Sequence, residues 1–93
     1  MGTMYNVIFT PEANFHLYKL DKSEPKAYQK LMRLIDELRE HPKTGTGHPE
    51  PLRGDRAGQW SRRITDKHRL VYRIFETEVV VLVLTAYGHY EDK

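Results

Sequence analysis

The sequence predicts an α+β domain in which two N-terminal helices pack on one face of an antiparallel sheet of four to five strands. Three observations carry this: apolar residues at helical spacing from Ala27 to Leu38, a change to a two-residue period beyond residue 58, and links between the later strands short enough for hairpins. A pair of helices followed by a run of strands favours a sheet covered on one side. At 93 residues a single core, and so a single domain, is expected.

Tyr5 to Phe9 alternates in a strand pattern, and Thr10-Pro11-Glu12 then supplies an N-cap, a proline at the first helical position and an acid in the first turn. That helix is expected to run to about Leu20, with Ser23 capping the next one. In the second helix Ala27, Tyr28, Leu31, Met32, Leu34, Ile35 and Leu38 recur at helical spacing as the apolar stripe, while Lys30, Arg33, Asp36, Glu37 and Glu40 are expected in water. His41-Pro42 ends it, and Lys43 to Pro49 is a connection rich in glycine and proline. A brief strand is expected around Glu50 to Arg53. Gln59 to Thr65, Arg69 to Phe75 and Glu78 to Thr85 follow as three strands joined by tight turns.

Apolar residues at 39% and charged residues at 30% fit a modest core under a solvated surface. The lack of cysteine excludes disulfides, thiolate metal sites and a cysteine nucleophile. No apolar run approaches the roughly 20 residues of a membrane span, and no secretion signal pattern opens the chain, so a cytoplasmic protein is expected. The five histidines, at 16, 41, 48, 68 and 89, show no ligand spacing, and neither a metal nor a cofactor is expected.

The net charge of +2 conceals a local excess. Residues 53–73 hold seven basic side chains against two acidic ones, a local charge of +5 that leaves −3 on the remaining 72. Six of the seven are arginines, whose planar fork matches phosphate oxygens. With Trp60, Ile64, Leu70, Tyr72 and Ile74 directed to the core, alternation sends Arg63, Arg69 and Arg73 to the opposite face of the sheet. Arg62 has the other parity and is expected at a strand edge or bent outward. Arginines gathered on one open face repel each other unless an anion is bound, which favours a nucleic acid.

Glu50, between Pro49 and Pro51, reads either as a solvated loop acid or as a general base held by a stiffened backbone. His89-Tyr90 reads either as a frayed end or as a proton donor beside a ring that stacks on a base. A base, an arginine and an acid suffice for metal-free RNA cleavage: proton removal from the ribose 2′-OH, attack on the adjacent phosphate, stabilisation of its charge and protonation of the 5′-oxygen.

The stretches Gly45-Thr46-Gly47-His48-Pro49-Glu50-Pro51-Leu52 and Gly58 to Tyr72, with the closing His89-Tyr90, resemble the YoeB branch of the RelE-type toxins. The resemblance covers about residues 4–90. Met1-Gly2-Thr3, which precedes a second methionine at Met4, reads as an expression scar or upstream start, and Glu91-Asp92-Lys93 as a short tail beyond the resemblance. The resemblance implies a RelE-like, microbial-ribonuclease-like fold and a ribosome-dependent endoribonuclease that enters the ribosomal A site, cuts mRNA to a 2′,3′-cyclic phosphate and stops translation. Carried onto this chain, Glu50 would be the base, Arg69 would stabilise the phosphate, His89 would be the acid and Tyr90 would orient the RNA. Arg53 and Arg63 would hold backbone phosphates, and Arg62 and Arg73 extend the expected RNA-binding set. The implied partners are a YefM-like antitoxin with an acidic segment, a second toxin copy, and operator DNA reached only through the antitoxin complex. Two readings compete: a ParE-like inhibitor of DNA gyrase, and a plain RNA-binding module that uses the arginine face for affinity alone.

Overall fold

The computed structural model describes residues 4–88. Thr10 opens the first helix as its sequence predicts, with Oγ1 accepting the Ala13 N–H at 3.0 Å and Pro11 at the first helical position. The elements in order are β1 (Asn6–Phe9), α1 (Pro11–Ser23), α2 (Pro25–Leu38), β2 (Glu50–Pro51), a 3-10 turn (Gly54–Arg56), β3 (Gln59–Arg63), β4 (Arg69–Phe75) and β5 (Val80–Thr85).

The first helix passes Leu20 and ends at Ser23, whose hydroxyl donates to the Lys19 carbonyl at 2.7 Å instead of capping α2. Glu24 is the joint between the helices, in a non-helical conformation, and its carboxylate makes no cap either. That carboxylate is engaged elsewhere, as described below. Leu20 of α1 and Leu31, Leu34 and Leu38 of α2 are fully buried against Leu70, Tyr72, Val81 and Val83 of the sheet.

The sheet order is β1-β5-β4-β3-β2. Three pairings are antiparallel, but β1 and β5 run parallel, so the sheet is mixed. A tight turn forces antiparallel neighbours, whereas β1 and β5 are separated by both helices and three strands, a connection long enough for parallel pairing. Thr10 sews the two ends together, its N–H reaching the Val83 carbonyl at 3.0 Å and its Oγ1 donating to the Leu84 carbonyl at 2.8 Å. Among the described residues no helix is long and apolar enough to cross a membrane.

Candidate nucleic-acid interface and active site

Strand register assembles the site. Glu50 stands opposite Ser61, Ser61 opposite Val71, and Val71 opposite Thr85, one row across four strands. Arg63 opposite Arg69 makes the next row on one side, and Gln59 opposite Arg73 the next on the other. Directly opposed residues share a face, and like-facing residues along a strand lie about 7 Å apart. The face turned away from the helices therefore sets Glu50 in a row flanked by arginines, over a floor made by Ser61 and Val71, each 2% exposed. This is the grouping of Arg63, Arg69 and Arg73 that alternation predicts.

The arginines differ in how they are held. Arg69 donates from one terminal nitrogen to the Thr65 carbonyl at 2.9 Å, so the turn that begins β4 aims its guanidinium. Arg63 is exposed and 3.6 Å from Asp66. Arg73 is exposed and crosses Gly58, where an added Cβ would lie 2.8 Å from its guanidinium. Arg53 is exposed at the start of the 3-10 turn.

Arg62 requires a correction. Its side chain is fully buried on the helix side of the sheet, neither at an edge nor bent outward. Its parity is that of Trp60 and Ile64, and the connection between α2 and β2 folds over it and supplies acceptors. The guanidinium donates to Glu37 at 2.7 Å, the Tyr72 hydroxyl at 3.1 Å, the Thr44 and Thr46 carbonyls at 2.7 and 3.3 Å, and the His41 carbonyl. It has no surface to offer to RNA. Glu37, expected in water, is its counter-charge: burial pushes its carboxyl up, but the Thr46 hydrogen bonds and Arg62 outweigh this and hold it below the usual range. Burial raises the Tyr72 phenol, partly offset by Arg62.

The same connection explains its glycines and leads to Glu50. Gly45 has φ +118°, and a Cβ there would fall 2.5 Å from the Glu37 carboxylate. Gly47 has φ +87°, and a Cβ would meet the Arg63 carbonyl at 2.8 Å, while its own carbonyl accepts the Arg63 N–H at 2.7 Å. Both positions need glycine's freedom. His48, with φ +53°, then turns the chain into Pro49 and Glu50.

His89 and Tyr90 lie outside the described residues, but their attachment point is defined. The Gly88 carbonyl accepts the Arg69 N–H at 2.9 Å, so the segment after β5 continues along the start of β4. The Gly88 N–H donates to His68 Nδ1 at 2.9 Å, and the Ala86 N–H donates to His16 Nδ1 at 3.0 Å. His68 is 3% exposed, and its Nε2 meets the Glu24 carboxylate at 2.9 Å. The sequence pattern places His68 in the turn between β3 and β4 and gives no role to His16 or Glu24. The only local signal was Thr65, whose hydroxyl accepts the Lys67 and His68 N–H groups and curls the turn inward. Among the described residues no group of three or more His, Cys, Asp or Glu side chains converges as a metal site.

The frame is that of small bacterial toxins. It superposes on the YoeB/ParE toxin from Agrobacterium tumefaciens with a TM-score of 0.86 at 34% identity, over 91% of this chain and 99% of that one. It also matches one chain of the heterotetrameric YoeB-YefM toxin-antitoxin complex from Staphylococcus aureus, with a TM-score of 0.79 at 29% identity, over 92% of this chain and 98% of that one. Toxin YoeB of Mycobacterium bovis is 43% identical over 79 residues, 85% of this chain and 93% of that relative; Toxin YoeB of Escherichia coli K12 is 39% identical over 69 residues, 74% and 80%. The chain belongs to the YoeB-like toxins of bacterial type II toxin-antitoxin systems, whose family model matches residues 9–90.

Proposed function

We propose that this chain is a ribosome-dependent endoribonuclease that cuts mRNA in the ribosomal A site. The observation that carries the reading is the setting of Glu50, one carboxylate on an arginine-bearing face across from Arg63 and Arg69 in the next row. In this reading Glu50 removes the proton from a ribose 2′-OH, and that oxygen attacks the adjacent phosphate. Arg69, aimed by the Thr65 carbonyl, stabilises the charge gathering on the phosphoryl oxygens. His89 protonates the departing 5′-oxygen, leaving a 2′,3′-cyclic phosphate, and Tyr90 stacks on or orients a base. Arg53, Arg63 and Arg73 hold flanking phosphates, with Arg62 removed from that set.

The same face suits an acidic segment of a YefM-like antitoxin, whose binding would block RNA. Solved relatives from Staphylococcus aureus include a YoeB dimer and a YoeB-YefM complex. By analogy we propose a toxin dimer and operator binding through the antitoxin. The test is translation in vitro with primer extension on the mRNA. Wild type should cut at ribosome-occupied codons, and Glu50→Gln should slow cleavage by about 100-fold or more, the low end of a general base's contribution. Equal rates would remove Glu50 from the mechanism. Intact mRNA and undisturbed translation would remove the nuclease reading and turn attention to gyrase.

A further inference from the structure

Residues 86–88, which follow β5, are held by two imidazoles. Ala86 and Gly88 each donate a backbone N–H to an imidazole Nδ1, of His16 on α1 and of His68 in the β3–β4 turn. The ring of Tyr87 contacts both, its centroid 4.4 Å from that of His68 and 5.9 Å from that of His16. A backbone N–H can only donate, so both Nδ1 atoms accept and each neutral ring carries its proton on Nε2. For His68 that proton points at Glu24, at the joint of the two helices. The Gly88 carbonyl in turn accepts the Arg69 N–H, so the clamped segment and the arginine brace each other.

We infer that His16 and His68 form a two-imidazole clamp that positions the Ala86-Tyr87-Gly88 segment, and through it both Arg69 and the point from which His89 extends. The inference deepens the nuclease reading and rests on it for its catalytic meaning. Its structural content is independent, because the clamp consists of contacts between residues 16, 24, 68, 69 and 86–88. In this account neither histidine touches RNA. They are positioning residues, and His68 acts through the lone pair of one particular nitrogen. Fixing a reacting group to better than about 1 Å is worth on the order of 100-fold in rate.

Asparagine and glutamine distinguish this role from simple packing. The amide oxygen of asparagine takes the place of Nδ1 and still accepts from Gly88, whereas glutamine reaches the place of Nε2, keeps a donor for Glu24 and leaves the Gly88 N–H without its acceptor. The experiment measures amide hydrogen exchange at Ala86 and Gly88, thermal midpoints, and single-turnover mRNA cleavage on programmed ribosomes for wild type, His68→Asn and His68→Gln. His68→Gln should lower Gly88 protection by about tenfold or more, the loss of one hydrogen bond. It should also cut the cleavage rate by ~10- to 100-fold while the half-saturating ribosome concentration stays put. His68→Asn should restore both. Equal behaviour of the two variants, or Gly88 protection lost with cleavage unchanged, would overturn the inference. A wild-type chain that cuts no mRNA would overturn the nuclease reading instead, and Gly88 protection would then decide the clamp alone.

Discussion

The loop that leads to Glu50 closes around a buried, permanently charged guanidinium, whereas the turn that leads to His89 hangs on two neutral imidazoles. Arg62 makes five hydrogen bonds, to one carboxylate, one phenol and three carbonyls, so the loop is tied at several points at once. The C-terminal turn has one imidazole bond at Ala86, one at Gly88 and a single link to Arg69. An arginine cannot lose its proton at any ordinary pH, whereas an imidazole that takes up a proton at Nδ1 has no lone pair there to accept with. The two segments thus differ in how many bonds hold them and in what can release them.

Arg62→Met should have the largest effect. It takes the counter-charge from the Glu37 carboxylate, which keeps only the Thr46 N–H, and leaves three carbonyls without the guanidinium, a loss of about 3–5 kcal/mol in urea unfolding, as for other broken buried pairs. A loss under about 1 kcal/mol would mean that the loop does not depend on Arg62. Gly47→Ala should cost less, about 1–3 kcal/mol, from a left-handed backbone and contact with the Arg63 carbonyl. An unchanged unfolding midpoint would show that this loop yields easily.

Acid should separate the two regions. Burial lowers the His16 pKa below its ordinary 6.5, against an opposing pull from Glu12, so the unfolded chain takes up that proton more readily than the folded one. Its contribution is complete above 6.5 and is lost as the pH falls toward the depressed folded value. Glu24 is held below 4.5 chiefly by the His68 hydrogen bond, so a further loss follows as the pH falls below 4.5. Hydrogen exchange at about pH 5.5 should therefore loosen Ala86 before Thr46, and His16→Asn, which keeps an acceptor but cannot be protonated, should reduce that difference. Equal loosening of both amides would erase the contrast.

Much of the candidate site's layout is legible in the sequence because it depends on local rules. Strand alternation alone gathered Arg63, Arg69 and Arg73 on one face, and two prolines around one carboxylate marked Glu50. Arg62 was misplaced because its partners, Glu37 and the carbonyls of His41, Thr44 and Thr46, arrive from a connection whose path no periodicity reveals. His68 was missed for the same reason: it meets Glu24, 44 residues away, only after the helices have docked. The parallel pairing of β1 with β5 is likewise a product of the whole chain. Glu24 occupies the N-cap position of α2 in place of Ser23, and its carboxylate meets His68 instead of capping the helix.

The most direct test of the central claim uses wild-type protein and ribosomes programmed with two mRNAs, identical except for a single 2′-deoxy nucleotide on the 5′ side of the cleaved bond. Attack by the 2′-oxygen, with Glu50 taking its proton, predicts that the all-ribose message is cut and the substituted one is not. Equal cleavage of the two would contradict the account.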